Sequence, residues 1–161
     1  MIDPLRYKEA LASFPSGVTV ITALDADGSI VGITASAFSA LSLDPALVLF
    51  CPSYSSATHP VLAERGHFAI HLLAGHQQDI AYAFASKGKD KAAAIPWQLS
   101  ELGNPLLEGA VAIIECDLWR EYEGGDHAII VGKVTNLILP SEPATPMLYH
   151  HGTLGVLPEF C

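Results

Sequence analysis

The residues most suggestive of chemistry lie in a segment of small and hydroxyl-bearing side chains, residues 32–39 (GITASAFS), followed by residues 42–45 (SLDP). Gly, Ala, Ser and Thr pack poorly inside a strand, and such a stretch often marks a place where another group approaches the backbone. The hydroxyls of Thr34 and Ser36 and the backbone amides could then hydrogen-bond the edge of a flat polar ligand. A β-bulge or a tight barrel corner also uses small residues and accounts for the pattern equally well.

A second candidate is the hydroxyl-rich segment 53–58 (SYSSAT), at a predicted junction between a strand and a helix. Unpaired amides at the start of a helix and the helix dipole both favour a phosphate, so this segment is a candidate anion site. An ordinary N-cap without a ligand is the commoner use of Ser and Thr there. Lys87, Lys89 and Lys91 concentrate positive charge in a chain with only eight lysines and arginines. They could reach the same phosphate or belong to a solvated loop.

A third candidate is His127, which follows Gly124, Gly125 and Asp126 and opens an apolar strand. The glycines allow a tight turn, so His127 could reach a ligand at the mouth of a barrel while Asp126 fixes the loop. A plain hairpin turn with an exposed histidine fits the spacing equally well. Taken with residues 32–39, the histidine suggests a ligand-binding β-barrel with His127 at the mouth of its site.

Several other kinds of site are excluded by spacing. The seven histidines include no His-Glu-x-x-His and no helical pair with a carboxylate partner, so we predict no metal site. The sequence lacks Gly-x-Gly-x-x-Gly and Gly-x-x-x-x-Gly-Lys, which argues against Rossmann and P-loop nucleotide sites. The three cysteines form no Cys-x-x-Cys and predict neither a disulfide framework nor a zinc knuckle. Cys51 and Cys116 each follow apolar residues and are predicted to be strand residues rather than nucleophiles.

These candidates must be positioned by a series of short strands. Asp3 and Pro4 predict the start of a helix that runs to about residue 14, where residues 15–17 (PSG) break it. Short helices are also predicted over residues 61–65 and 77–86. Strands are predicted over residues 18–22, 30–35, 38–43, 47–51, 67–73, 110–122 and 128–139, with a last short one near 147–152. Tight turns between consecutive strands imply antiparallel pairing, and this number of strands suggests a closed barrel.

Composition narrows the classes of protein. The 161 residues fit a single domain, residues 1–161, and half of them are hydrophobic. Only 16% are charged, against about 25% in a typical soluble domain, which suggests that a homodimer covers part of the apolar surface. The formal net charge of −9 argues against nucleic acid as a partner, since phosphate binding needs clustered Lys and Arg. No signal peptide or membrane span is visible, so we predict a cytoplasmic protein without a membrane partner.

The order and spacing of seven segments resemble the flavin reductase-like domain. This family is an FMN-binding split barrel, typical of the small reductase components of two-component flavin-dependent monooxygenases. The likeness spans residues 7–152. Its segments are residues 14–22 (FPSGVTVIT), 32–38 (GITASAF), 42–48 (SLDPALV), 55–58 (SSAT), 68–73 (FAIHLL), 125–127 (GDH) and 148–150 (LYH). Each segment alone is weak evidence for the family, and the resemblance rests on their joint order and spacing.

The resemblance implies a mainly β fold, an antiparallel split β-barrel of Greek-key type with a few short helices, and a homodimer with flavin near the subunit interface. It also implies an NAD(P)H:flavin oxidoreductase that transfers hydride from NADH or NADPH to FMN or FAD and supplies reduced flavin to a partner monooxygenase. His127 would be the catalytic residue, beside the nicotinamide or the flavin. The implied cofactor-binding residues are Thr34, Ala35, Ser36 and Ala37 at the isoalloxazine ring; Cys51, Ser53, Ser56 and Thr58 at the ribityl chain and phosphate; Phe84, Lys89 and Lys91 at the phosphate end; and Tyr149, which would close the site.

The chain departs from the family pattern at two places. His151 stands where an arginine is common, and the loop at residues 87–91 carries lysines where the family often has an arginine. The alternative function is a flavin-binding module without turnover, for electron transfer or flavin storage, because one fold supports several functions. Steady-state oxidation of NADH or NADPH with added FMN would separate the two.

Overall fold

Antiparallel β-structure dominates the computed structural model of the protein, which describes residues 1–86 and 92–156. The helices are α1 (Pro4–Ala12), α2 (Thr58–Arg65) and α3 (Gln78–Ala85). The strands are β1 (Ser16–Gly17), β2 (Thr19–Leu24), β3 (Ile30–Ala35), β4 (Phe38–Leu43), β5 (Ala46–Phe50), β6 (His67–Leu72), β7 (Gln98–Leu99), β8 (Pro105–Leu106), β9 (Ala112–Gly124), β10 (His127–Ile138), β11 (Met147–His150) and β12 (Thr153–Val156). Among the described helices, none is long and apolar enough to cross a membrane. The predicted mainly β, antiparallel fold is confirmed.

Seven strands form one sheet in the order β3-β2-β6-β9-β10-β5-β4, and each neighbouring pair is antiparallel. β3 and β4 occupy opposite edges of this sheet, although only Ser36 and Ala37 separate them along the chain. Three residue steps span at most about 11 Å, so the end of β3 and the start of β4 must lie close together. The sheet therefore curls until its edges approach. Because no described ladder pairs β3 with β4, the result is a barrel split between these two strands.

The curled sheet encloses a large apolar core. Phe50, Phe68, Ile21 and Ile130, from four different strands, are fully buried in it, and Leu62 of α2 is buried against them. The rings of Phe50 and Phe68 meet edge to face, with centroids 5.3 Å apart. Both edge strands also pack side chains against this core. The core thus fixes the curvature that brings β3 toward β4.

Helix α3 packs on β3 at a glycine. A Cβ built on Gly32 would lie 2.7 Å from Cδ1 of Phe84 and 2.7 Å from the carbonyl oxygen of Ile21. A side chain at this position would therefore collide with both the ring and the neighbouring strand. Gly32, the first small residue of segment 32–39, therefore makes room for the Phe84 ring of the same chain. This contact sets the distance between α3 and β3.

The β7–β8 hairpin, which the sequence did not predict, is held to the main sheet partly by a buried histidine. Nδ1 of His71 donates to the carbonyl of Val20 at 3.0 Å, and Nε2 accepts from the amide of Leu107 at 3.0 Å. This pattern requires the neutral ring with its proton on Nδ1. Burial penalises the charged form and lowers the pKa of His71 to about 4.

A buried carboxylate holds the same hairpin from the other side. The oxygens of Glu115 accept hydrogen bonds from Ser100 Oγ, Asn104 Nδ2 and Asn136 Nδ2. Burial by itself would raise the pKa of this carboxyl, but the three hydrogen bonds outweigh it and the pKa lies below its usual value. Glu115 therefore links the β7–β8 turn to β9 and β10 through neutral partners.

Most predicted elements are confirmed, and the differences concern short segments. The strands predicted over residues 30–35 and 38–43 coincide with β3 and β4, and the helix predicted over 77–86 is α3 with one residue fewer at each end. The helix predicted over 61–65 begins at Thr58 instead. Part of the predicted break at residues 15–17 pairs with β11 as β1. The two-residue strands and β12 went unpredicted because so few residues carry no readable periodicity.

Candidate functional site

A cavity of about 740 Å³ lies at the split of the barrel. One wall is β3 with the link that follows it, a second is the loop from β5 to α2, and a third is the C-terminal half of α3. Ten of the thirteen predicted site residues line this cavity: Thr34, Ala35, Ser36, Ala37, Cys51, Ser53, Ser56, Thr58, Phe84 and His127. The fold thus brings together residues that the sequence places in four separate segments.

The β3 wall presents backbone and small side chains. The Thr34 hydroxyl donates to the carbonyl of Ala81 in α3 at 2.6 Å, so its proton is already used inside the protein. Its oxygen keeps acceptor capacity toward a ligand. Ser36 and Ala37 are exposed and form the link between the two sheet edges. Segment 32–39 is therefore both a barrel corner and a cavity wall, and the two interpretations of its pattern are compatible.

The loop from β5 to α2 forms the polar end of the cavity. The Cys51 amide donates to the Ala37 carbonyl at 3.1 Å, which ties this loop to the β3–β4 link. The Ser56 hydroxyl accepts from the Thr58 amide at 3.2 Å, and the Thr58 hydroxyl donates to the Gly32 carbonyl at 3.0 Å. Thr58 is thus an anchor between α2 and β3, and the Ser56 hydroxyl keeps its proton free for an acceptor.

The start of α2 faces the same space. Its N-cap position is occupied by Ala57, which makes no side-chain cap hydrogen bond. In the first turn of α2 the Thr58 amide donates to the Ser56 hydroxyl and Pro60 has no N–H, so the His59 amide and the positive end of the helix dipole remain for an anion. Because Ala57, Ser56 and Thr58 all line the cavity, these groups form a potential anion site within it.

The turn between β9 and β10 places His127 at the cavity. Gly125 adopts a φ of +79°, which a side chain would disfavour, and the backbone of His127 forms a bridge with Ser53. Tyr54 donates its amide to the carbonyl of Asp126 at 3.1 Å, so the turn and the β5–α2 loop are locked together. The imidazole position therefore depends on both segments.

An exposed carboxylate orients the imidazole. Nδ1 of His127 lies 2.6 Å from Oδ1 of Asp126. This hydrogen bond, and then the charge of the ring, hold the pKa of Asp126 below its usual value. With Nδ1 donating to the carboxylate, Nε2 is an acceptor when the ring is neutral and a donor when the ring is charged. The side chain of His127 is 44% exposed, so a ligand in the cavity can reach it.

Two cysteines are described, and neither has the character of a nucleophile. Burial raises the pKa of the Cys51 thiol, which follows β5 and lines the cavity. Burial, followed by the nearby Asp117 and Glu115 charges, raises the pKa of Cys116 to about 12. Both thiols are therefore protonated at neutral pH, as expected for strand residues. Among the described residues, no cluster of His, Cys, Asp or Glu could hold a metal ion.

Three predicted site residues are not among the described residues that line this cavity. Tyr149 lines a neighbouring cavity of about 280 Å³, which shares Thr34 and Ser36 with the first. Lys89 and Lys91 lie outside the described residues. Sequence reasoning missed Tyr82, which lines the smaller cavity and is 60% exposed between the buried residues Ala81 and Ala83. The helical periodicity of residues 77–86 places Tyr82 on the exposed face and could have identified it.

Comparisons of the sequence and of the structure with known proteins all identify flavin reductases as similar to this chain. A model of the flavin reductase like domain matches residues 11–158. A flavin reductase from Pseudomonas putida is 38% identical over 154 residues, covering 96% of this chain and 91% of that protein. HsaB, the reductase subunit of a flavin-dependent monooxygenase from Rhodococcus jostii (strain RHA1), is 41% identical over 159 residues, covering 98% and 80%. The crystal structure of the NADH:FAD oxidoreductase SgcE6 from Streptomyces globisporus C-1027 superposes with a TM-score of 0.89 at 34% identity, covering 99% of this chain and 98% of that one.

Proposed function

Because this chain belongs to the flavin reductase-like domain family, we propose that the cavity at the split of its barrel binds the flavin. The protein is an NAD(P)H-dependent flavin reductase. In our assignment the isoalloxazine ring lies along β3 and the phosphate lies at the start of α2. The observation that carries this assignment is that ten residues implied for the site by the family resemblance converge on one cavity.

The residues present fit a flavin. A volume of about 740 Å³ is within the usual range for a cofactor site. Over residues 34–37, the β3 wall carries no side chain larger than threonine, so a flat ring can approach the backbone closely. At the other end, the Ser56 hydroxyl supplies a donor for a phosphate, and the positive end of the α2 dipole favours the negative charge. The ligand thus meets a flat, weakly polar wall at one end and hydrogen-bond donors at the other.

When bound, the flavin supplies the ring that accepts a hydride from the nicotinamide. The protein has to hold the nicotinamide close and parallel to that ring. His127 suits this task, because Asp126 fixes its orientation and leaves Nε2 as an acceptor for the nicotinamide amide group. An error of about 1 Å in such positioning can cost on the order of 100-fold in rate. His127 therefore acts in positioning and transfers no proton.

We assign NADH as the reductant. The NADH:FAD oxidoreductase SgcE6, similar to this chain over nearly its whole length, uses NADH by name. Reduced FMN or FAD then leaves for a partner monooxygenase, in line with the reductase-subunit role named for HsaB.

We also propose that the chain is a homodimer. Helix α1 buries none of its residues, and Leu5, Leu11 and the following Phe14 are 76%, 55% and 77% exposed. Leu43 of edge strand β4 is 93% exposed. Apolar side chains of this size at the surface suggest a covering subunit. Sedimentation equilibrium would measure the mass, and a monomer that binds flavin at full affinity would contradict the proposal. The cytoplasmic location stays a prediction.

The phosphate assignment is tested by comparing FMN with riboflavin, which lacks the phosphate. Ser56→Ala removes a donor and should weaken FMN binding roughly tenfold or more, since a hydrogen bond to a charged group contributes about 1.5–3 kcal/mol. Riboflavin should bind the variant almost as it binds the wild type. Ser39→Ala on β4, whose hydroxyl bonds a neighbouring carbonyl outside the cavity, is the matched control. Equal losses for FMN and riboflavin in a fluorescence titration would exclude the site.

A further inference from the structure

A side-chain hydrogen bond joins helix α2 to the hairpin formed by β9 and β10. Nε2 of His59, in the first turn of α2, lies 2.9 Å from Oε1 of Glu121 on β9. Because an ionised carboxylate only accepts hydrogen bonds, Nε2 carries a proton and donates it to this bond. The side chains of His59 and Glu121 are 14% and 31% exposed, so water and salt screen this pair less than a pair at the open surface.

Glu121 occupies a place in the sheet where its neighbour is apolar. It stands directly opposite Ile130 in the β9–β10 ladder, so the two side chains lie on the same face of the sheet. Ile130 is fully buried in the core on that face. A carboxylate there loses part of its hydration, and the hydrogen bond from His59 offsets that loss.

An aromatic ring holds the imidazole of His59 from the loop between β5 and α2. The rings of Tyr54 and His59 meet edge to face, with centroids 5.4 Å apart. Tyr54 also donates its amide to the carbonyl of Asp126, in the turn that precedes His127. The imidazole is therefore fixed from two sides, by the loop that leads into α2 and by the strand that leads into the turn.

The start of α2 is held between two distant strands. On one side the Thr58 hydroxyl donates to the carbonyl of Gly32 in β3, and on the other side His59 donates to Glu121 in β9. Thr58 lines the cavity, whereas the side chains of His59 and Glu121 are not among its described lining. The pair can therefore act on a ligand only through the first turn of α2, which carries the His59 amide and the positive end of the dipole.

We propose that His59 and Glu121 are positioning residues for the flavin phosphate, an inference that rests on the proposed function of the larger cavity. An anchor to β3 alone fixes one point of the first turn, and the second anchor to β9 also fixes its direction. The hydrogen bond thereby keeps the dipole and the His59 amide aimed at the place assigned to the phosphate. Neither side chain touches the flavin itself.

The test measures how much the flavin phosphate contributes to binding in each variant. His59→Ala and Glu121→Ala should each raise the Kd for FMN by roughly three- to tenfold, the range expected for loss of one hydrogen bond. The Kd for riboflavin, which lacks the phosphate, should stay near the wild-type value. The double variant should bind FMN no more weakly than either single variant, because the same hydrogen bond is lost in all three. Fluorescence titration with each flavin measures these constants.

Conservative and control variants separate positioning from other effects. Glu121→Gln keeps an acceptor for Nε2 of His59 and should restore most of the FMN affinity. Glu123→Ala removes an exposed carboxylate two residues along the same strand, and this matched control should bind both flavins like the wild type. If Glu121→Gln loses as much FMN affinity as Glu121→Ala, the hydrogen bond is not the cause and the proposal is wrong.

Two further outcomes distinguish this proposal from the proposed function. If His59→Ala and Glu121→Ala bind FMN like the wild type while Ser56→Ala loses FMN affinity selectively, the pair does not position the phosphate and the proposed function stands. Equal losses for FMN and riboflavin would likewise contradict positioning, because they would indicate a general effect on the fold. If the wild type binds no flavin and oxidises no NADH in its presence, the proposed function itself fails.

Discussion

The buried His71 predicts a defined loss of stability in mild acid. Its pKa is about 4 in the folded protein and about 6.5 in an unfolded chain. Between these values the unfolded chain binds a proton that the folded protein refuses, so a fall in pH favours unfolding. The free energy of unfolding therefore rises with pH through this window and levels off above it.

The magnitude follows from the two pKa values. A difference of about 2.5 pH units corresponds to about 3.4 kcal/mol at 1.36 kcal/mol per unit. Between pH 7 and pH 5 the titration is incomplete, and roughly 2 kcal/mol of this is lost. The lowered pKa of Glu115 adds a loss in the same direction, but only as the pH falls below about 4.5. The interval from pH 7 to pH 5 therefore isolates the histidine.

Urea unfolding followed by circular dichroism at pH 7, 6 and 5 would measure this loss. His71→Gln removes the titrating group while keeping an amide that can meet Val20 or Leu107, so the variant is less stable at pH 7 and loses less stability toward pH 5. His150→Gln, at an exposed histidine, is the control and should retain the wild-type dependence. If His71→Gln loses as much stability as the wild type between pH 7 and pH 5, the buried neutral ring is not the cause.

Three further predictions concern the site. Gly32→Ala should destabilise the protein by about 1–3 kcal/mol in urea unfolding, because the new methyl meets the Phe84 ring, and Phe84→Leu in the same chain should recover part of the loss. Iodoacetamide should label Cys51 more slowly when FMN saturates the cavity, whereas Cys116 should remain unlabelled until the protein unfolds, as measured by peptide mass spectrometry. His127→Ala should slow flavin reduction by roughly 100-fold in rapid mixing and raise the KM for NADH, with flavin affinity near wild type.

Each of these has an outcome that contradicts it. Wild-type stability of Gly32→Ala would mean that α3 can move away from β3 at no cost. Equal labelling of Cys51 with and without FMN would place the flavin outside the cavity. Reduction at the wild-type rate by His127→Ala, at every NADH concentration, would make His127 an ordinary turn residue.

The strands and the converging site residues could be predicted from sequence because their signals are local. β3 and β4 are bounded by turn residues and coincide with the predicted ranges. The order of the family motifs then identified residues such as Ser56 and His127, and the structure brings both to one cavity. Local pattern and motif order are sufficient to predict an element or a site residue where the element is long or carries a distinctive motif.

Other features depend on contacts that the sequence does not encode locally. The family resemblance predicts Thr34 and Thr58 as ligand contacts, yet their hydroxyls donate to carbonyls 47 and 26 residues away. The hairpin at residues 98–106 is held at its turn by Glu115 and just after β8 by His71, and both of these residues come from distant strands. Hydrogen-bond partners that are distant in sequence determine whether a side chain is available to a ligand. Sequence periodicity does not reveal such partners.

The link at Ser36 and Ala37 has a consequence for how such a site can diversify. Among the described strands no ladder pairs β3 directly with β4, so the two edges of the sheet meet there through this link and the shared core. The gap between these edges is therefore set by the packing of both edges on the core and by a two-residue tether, and no strand register between β3 and β4 constrains it. Lengthening or substituting this tether would adjust the width of the ligand slot while leaving each ladder in the sheet intact.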